Sequence, residues 1–329
     1  MSQSAEAFLQ ILSAPRVGPA SAKKLHAWAH ENRLSMREAV DSSGALVAAL
    51  GVRKAEAVAS MKSEIVRQLE KQAAQNVSMI SIEDPEYPTQ LKQRLGKDAP
   101  LVITFRGNIE LFDVSSVGFC GSRHVTDRGL QAASDSSREF TTSGVNIVSG
   151  YAAGVDTVAH RTALENGGTT TIVLAEGLND FRVKKTFRDV WDWSRVLVVS
   201  EFLPWATWNA QSAMQRNYTI AGLSAAMILI EARPSSGSYA AGLAALEMGV
   251  PLFAADYRDE PESAEGNRSL IAKGARKLTR NAKTKRPLID LVMQSVKNNT
   301  VFAELPGSEQ LGLWAASHED NLWQGSNAS

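Results

Sequence analysis

The sequence predicts an α/β fold: a doubly wound, mostly parallel sheet preceded by a small all-helical domain. Three observations carry this expectation. From residue 114 onward, short apolar runs alternate with helix-length segments, the rhythm of strand–helix–strand units. The runs are apolar almost throughout, as in "AMILI" at 226–230, which suits strands covered on both faces. Glycine breaks follow them in "VGFCGSRHVTDRG" (117–129), "VSGYAAGVD" (148–156), "LAEGLND" (174–180) and "IEARPSSGS" (230–238). In a parallel sheet such turns gather along the edge formed by the carboxyl ends of the strands, where ligands bind.

Residues 1–75 read as helical, rich in Ala, Leu, Val and Lys and punctuated at Gly18-Pro19, Ser42-Ser43-Gly44 and Gly51. The last piece is expected as one helix from Lys54 to Gln75, because Val58, Met61, Ile65 and Leu69 recur every three or four residues. "VSMISIEDPEYP" (77–88) offers a short strand ending in proline-rich turn chemistry, and "PLVITFRGN" (100–108) offers another. Further strands are expected at 115–120, 145–149, 170–175, 196–200, 226–231 and 250–255, with a short one near 275–279. Helices are expected between them at about 127–142, 156–166, 182–193, 209–223, 238–248 and 266–273. After 281 the chain turns polar and irregular, and a loosely attached tail is expected over 281–329, with Trp314 and Trp323 as the side chains to pin it. The organisation is thus 1–75 helical, 76–280 α/β, and 281–329 tail.

Composition narrows the class. In 329 residues, 35 Lys and Arg balance 35 Asp and Glu, and 44% of positions are hydrophobic, as in ordinary soluble domains. A zero net charge argues against a uniformly basic surface but permits a local patch. Cys120 is the only cysteine, so neither an intrachain disulfide nor a thiolate zinc site is available. The first ten residues carry no basic-then-apolar leader, and no apolar run reaches the ~20 residues that span a bilayer. These features place the chain in the cytoplasm, off the membrane.

Helix N-termini behind the glycine breaks offer backbone N–H groups and a positive dipole end to anions. Arg123 leads the candidate residues, because its planar fork grips a phosphate bidentately; the alternative is an Arg paired to a neighbouring acid. Ser122 sits in no nucleophile elbow, so hydrogen bonding to phosphate suits it better than attack. Asp156 and His160 are four apart, on one helix face. They suit either a pocket floor with Asp156 as helix cap or the start of a metal site that would need further ligands. Arg216-Asn217 points to the same edge, with Tyr218, Trp205 and Trp208 near in sequence. Such aromatics stack bases or pack a loop, and Phe181 with Arg182, Lys184, Lys185 and Arg188 forms a second basic and aromatic segment. "KGARKLTRNAKTKR" (273–286) holds seven basic residues and no acid, either a polyanion contact or a solvated face.

The order of motifs resembles the DprA/Smf family of DNA-processing proteins. "SIEDPEYPTQL", "APLVITFRGN", "GSR" at 121–123, "VSGYAAGVDTVAHRTALENGGTTTIVLAEGLN", "RNYTIAGLS", "IEARPSSGS" and "EGNRSLIAKGA" follow in the family's order over about 77–280. The resemblance implies a Rossmann-like domain that binds single-stranded DNA, forms a homodimer, protects incoming DNA and assists loading of the RecA recombinase, without a cofactor. It places DNA phosphates against Gly121, Ser122, Arg123, Ser149, Gly150, Arg216, Asn217, Ser236, Gly237, Ser238, Asn267 and Lys273, with Asp156 and His160 on the pocket floor. It also makes "APRVGPASAKKL" (14–25) a helix–hairpin–helix element, against the plainer reading of a Gly-Pro turn between packed helices. The chain departs from the family pattern at Ala213 and Tyr218, at Gly177-Leu178-Asn179 with no proline following, and at Ala254-Ala255-Asp256. No winged-helix pattern follows 281.

A second reading is an enzyme or nucleotide sensor, because the fold also resembles that of the cytokinin-activating phosphoribohydrolases. Laying Ser236-Gly237-Ser238 on their phosphate motif puts Ala241 where their catalytic Glu stands, with Glu231 and Glu247 the nearest acids in sequence. That departure favours binding over hydrolysis.

Overall fold

The computed structural model describes residues 2–303. Six helices come first: α1 (Gln3–Ser13), α2 (Pro19–Glu31), α3 (Met36–Asp41), α4 (Ser43–Leu50), α5 (Val52–Ser60) and α6 (Lys62–Ala74). Phe8, Leu25, Met36, Leu46, Val58 and Ile65 fill their shared core, which continues onto Met79, Leu101 and Val102 of the first two strands. The helix expected from Lys54 to Gln75 is two helices. Met61 joins them with a helical φ/ψ of −78° and −11°, so the apolar stripe keeps its phase across the joint and its spacing alone does not reveal the break.

The rest of the chain builds one nine-stranded sheet. Its elements are β1 (Ser78–Ser81), α7 (Thr89–Leu95), β2 (Val102–Gly107), β3 (Ser116–Cys120), α8 (Asp127–Thr142), β4 (Asn146–Ser149), α9 (Val155–Glu165) and β5 (Thr170–Val173). Then follow β6 (Val196–Ser200), α10 (Ala210–Gly222), β7 (Ala226–Leu229), α11 (Gly237–Glu247), β8 (Leu252–Ala255), α12 (Glu265–Ala272), β9 (Arg276–Leu278) and α13 (Asp290–Ala303). The spatial order is β1-β2-β6-β5-β4-β3-β7-β8-β9. Strands β3 to β9 pair in parallel, whereas β1–β2 and β2–β6 are antiparallel. The chain winds from β3 out to β6 and returns through α10 to β7 on the other side of β3. The carboxyl ends of β3 and β7 therefore flank the topological switch point, where open α/β sheets bind ligands.

One face of the sheet packs under α10, α11 and α12, with Val173, Leu197, Met227, Ala241, Ala245 and Leu270 in the core. The other packs under α8, α9 and α13, with Phe119, Phe140, Ile147, Ala159, Ile228 and Phe253. Both faces are covered, as the continuous apolar runs require. Helix α13 carries Val292 and Val296 into this second core, so 290–303 is a packed helix where an irregular tail is expected. Its polar composition hides a narrow apolar stripe four residues apart. Trp314 and Trp323 lie outside the described residues.

The helix expected at 182–193 does not form. Only a 3₁₀ turn at Lys185–Phe187 occurs there. Phe181 and Phe187 are buried, and their rings meet Trp191, Trp193 and Tyr151 in one aromatic nest. The Phe and Trp positions are spaced six, four and two apart, so an irregular loop gathers them better than a helix would.

Candidate functional site

The turn after β3 is fixed by backbone contacts. Ser122 N–H donates to the Glu231 carbonyl at 2.7 Å, and Ser122 Oγ accepts from His124 N–H at 3.0 Å. The turn rests directly on Gly154. A Cβ there would lie 2.3 Å from the Ser122 carbonyl oxygen, and the glycine's φ of +76° suits no bulkier residue. Arg123 is exposed at the tip and makes no hydrogen bond or ion pair among the described residues.

Beside it, the turn after β4 lets Arg216 of α10 approach the backbone. A Cβ at Gly150 would sit 1.7 Å from Arg216 Nη1 and 2.6 Å from Asp156 Oδ2, so only glycine leaves room. Arg216 Nε is buried with no hydrogen-bond partner. Burial lowers the pKa of its guanidinium; Asp156 offsets this and the neighbouring Arg123 adds to it. Lys184 joins the group from the aromatic loop. Its ammonium donates to the Tyr151 carbonyl and lies 4.0 Å over the Tyr151 ring. Burial holds its pKa low, while Asp156 and Glu176 pull the other way and Arg123 again lowers it. Three cations thus converge around the Asp156 carboxylate, with Glu176 and Glu201 also acting on Lys184 and Arg216. Ions of one sign crowded this way favour a polyanion.

The floor of this cluster is Asp156 and His160, both held by hydrogen bonds within the protein. Asp156 Oδ2 accepts from Ala152 N–H at 3.1 Å, which ties the glycine-rich turn to the first turn of α9. His160 is completely buried, and burial lowers its pKa to about 4, against the pull of the Gly150 carbonyl and Asp156. Its Nε2 lies 2.7 Å from the Gly150 carbonyl and its Nδ1 2.5 Å from Thr170 Oγ1. A carbonyl only accepts, so the neutral ring carries its proton on Nε2. The one Thr170 hydroxyl proton is shared between Nδ1 and the Ile147 carbonyl, 2.8 Å from Thr170 Oγ1. Ser149 Oγ is spent on the Phe119 carbonyl at 2.7 Å.

The helix N-terminus nearest the GSR turn is not free, contrary to the expectation that such termini offer open donors. Glu231, wholly buried at the end of β7, occupies the start of α8. Its Oε2 accepts from Thr126 N–H at 3.0 Å and Ser263 Oγ at 2.7 Å, and its Oε1 from Thr126 Oγ1 at 2.5 Å. The protein's own carboxylate fills the place where dinucleotide folds hold a phosphate.

The remaining candidates divide. Asn217, next to Arg216 on α10, reaches the Gly237 carbonyl at 3.4 Å and so links the cluster to the 236–238 turn. Ser236 caps α11 by accepting from Tyr239 N–H and donates to the Arg233 carbonyl. Gly237 is exposed and Ser238 half-buried beside it. Asn267 is buried, and its amide bonds Ala232 N–H and the Ile230 and Ala255 carbonyls, clamping the ends of β7 and β8. Lys273 follows α12 just before β9 begins, at the opposite edge of the sheet. In the basic run, Lys277, Arg280 and Arg286 pair with Asp256, Asp135 and Glu139, leaving less free charge than the sequence offers. Ala241, where the phosphoribohydrolase motif would need its Glu, is packed in the core, and Glu247 is exposed on α11. No group of three or more His, Cys, Asp or Glu among the described residues fits a metal ion. No described helix is long and apolar enough to cross a membrane.

A family model for DNA recombination-mediator protein A matches residues 78–286, the whole sheet with its edge cluster. The chain belongs to this family. DNA processing protein DprA of Streptococcus pneumoniae is 33% identical over 207 residues, covering 62% of this chain and 72% of that protein. Protein Smf of Synechocystis is 29% identical over 265 residues, covering 78% and 65%. The X-ray structure of the pneumococcal protein superposes with a TM-score of 0.70 at 25% identity, covering 93% of this chain and 99% of that one. DNA processing protein A of Helicobacter pylori, studied for its single-stranded DNA binding mode, shares the fold with a TM-score of 0.53 at 24% identity, covering 70% and 97%.

Proposed function

We propose that this member of the DNA-processing family binds single-stranded DNA along the carboxyl edge of the sheet. Arg123, Lys184 and Arg216 hold its phosphates, and no bond is made or broken. One observation carries the reading: a buried guanidinium with an unpartnered nitrogen stands beside an exposed Arg123 that has no partner among the described residues. A phosphodiester offers both of them oxygen acceptors. Gly121, Ser122, Ser149 and Gly150 shape the backbone around that contact, and the 236–238 turn extends it past Asn217. Trp205 and Trp208, 36% and 52% exposed, stand ready to stack bases in a sequence-tolerant way. In keeping with the family resemblance, the protein acts as a homodimer in the cytoplasm, protects the strand and hands it to the RecA recombinase.

Fluorescence anisotropy with labelled oligo-dT and a matching duplex at two salt concentrations tests this reading. The single strand is expected to bind more tightly, with affinity falling steeply as rising salt makes counterion release less favourable. Absence of binding to oligo-dT at low salt refutes it.

A further inference from the structure

Between the helical layer and the sheet lies a cavity of about 270 Å³. Its walls are apolar: Leu9 and Leu12 of α1, Val102 of β2, and Leu203 and Pro204 of the loop after β6. Its polar side is formed by Glu201 with Gln215 of α10 and by Thr104 of β2, whose hydroxyl donates to the Ser200 carbonyl. Glu201 Oε1 accepts from Thr219 Oγ1 and Oε2 from Gln215 Nε2, both at 2.6 Å. Each carboxylate oxygen keeps a second lone pair. Burial raises the Glu201 pKa, against the Thr219 and Gln215 bonds and the charge of Arg216.

We propose that this cavity is a base pocket, one residue along α10 from the phosphate site, that prefers guanine to thymine. This rests on the reading of the edge as a single-strand site. The volume, just below the ~300–1,000 Å³ of small-molecule sites, admits one planar ring system. An apolar slot with a carboxylate on one side accepts hydrogen bonds and donates few. Guanine presents N1–H and N2–H side by side, a pair that a carboxylate accepts bidentately. Thymine offers a single N3–H flanked by two carbonyl oxygens that the anion repels, and adenine and cytosine offer one amino group beside a lone pair. The route from the phosphates is short. Gln215 precedes Arg216 on α10, and β6 lies two strands from β4, about 10 Å at ordinary strand spacing. The loop that forms the wall, with Leu203 and Pro204, also carries the exposed rings of Trp205 and Trp208 at 205–208. A strand on the cations thus passes an aromatic rim before a base turns in, the arrangement by which proteins read extruded bases.

The test uses the full chain and anisotropy with three strands of equal length. They are oligo-dT, oligo-dT with every third base replaced by guanine, and oligo-dT with every third base replaced by adenine. The guanine strand is expected to bind about tenfold tighter than oligo-dT, the discrimination of one good bidentate contact, and the adenine strand to gain far less. Glu201→Gln is expected to remove the guanine advantage, because one acceptor becomes a donor, while leaving oligo-dT affinity in place. Leu12→Phe, which narrows the cavity from the opposite wall, is expected to do the same should the first variant fold poorly. Free deoxyguanosine is expected to compete away the advantage alone. Equal affinity for the guanine and thymine strands, or an advantage that survives both substitutions, overturns the pocket while leaving the phosphate site standing. If oligo-dT itself fails to bind, the single-strand reading falls, and quenching of tryptophan fluorescence by free deoxyguanosine decides the pocket separately; no quenching overturns it too.

Discussion

Two anion-sized places lie within a few residues of each other on the sheet edge, and the protein completes only one of them. At the start of α8 the Glu231 carboxylate accepts from the Thr126 N–H, the Thr126 hydroxyl and the Ser263 hydroxyl. Across β3, Arg216 keeps a buried nitrogen unpaired and Arg123 stands in solvent without a partner among the described residues. The first place is structural and closed; the second keeps cationic donors without partners. A glycine-rich turn after a strand therefore does not by itself mark a phosphate site. What decides is whether the chain has supplied its own anion.

Breaking the closed place should have the largest effect. Glu231→Ala strands three donors, the buried Ser263 hydroxyl among them, next to the turn where Ser122 N–H meets the Glu231 carbonyl. It is expected to cost about 3–5 kcal/mol in urea unfolding, the usual size for removing one partner of a buried charged network. Glu231→Gln keeps the shape and one acceptor, so a loss of about 1–3 kcal/mol is expected. If both variants unfold at the wild-type midpoint, the carboxylate does not hold the edge together.

The sequence makes the fold legible because the strands are near-continuous apolar runs, which only a doubly covered sheet explains. It fails where geometry comes from packing. Phe181, Phe187, Trp191 and Trp193 belong to one nest whose spacing has no period, and the basic segment around Lys184 therefore resembles a helix in sequence alone. Of the candidate site, Arg123, Gly150, Asp156 and Arg216 are legible from the glycine breaks and the family motifs. Asn267 and Lys273 carry the same residue types in the same motif block, yet one is buried in backbone bonds and the other sits at the far edge of the sheet. Glu231 ends a strand in plain view, but its role depends on Thr126 and Ser263, 105 and 32 residues away. Residue type records what a side chain can bind, whereas the partner it meets is set by topology.

A smaller effect separates the floor from the charged wall. Burial lowers the folded pKa of His160 to about 4 from the ordinary 6.5. The unfolded chain therefore binds the proton first. Its contribution is fully present above pH 6.5 and is lost as pH falls toward 4, an amount of about 3 kcal/mol from the linkage relation. Stability curves by urea between pH 7.5 and 4 should fall through this window. His160→Gln should flatten that part of the fall, and an unchanged slope would mean that other groups carry it.

The open place should respond least in stability and most selectively in binding. Arg123 is exposed and pairs with no described residue, so Arg123→Ala is expected to leave the urea midpoint where it was. Losing one phosphate contact should weaken oligo-dT about tenfold and lower the salt slope of log K by about 1, equally for strands of any sequence. That uniformity is the discriminating feature. A residue that reads bases would lose affinity for some strands and not others, and one that braces the fold would move the midpoint. Unchanged affinity would make the GSR turn a structural corner and shift the whole burden of phosphate contact to Lys184 and Arg216. A midpoint that moves with the affinity would mean that the positive charge at this edge is already balanced within the protein, as it is at Glu231.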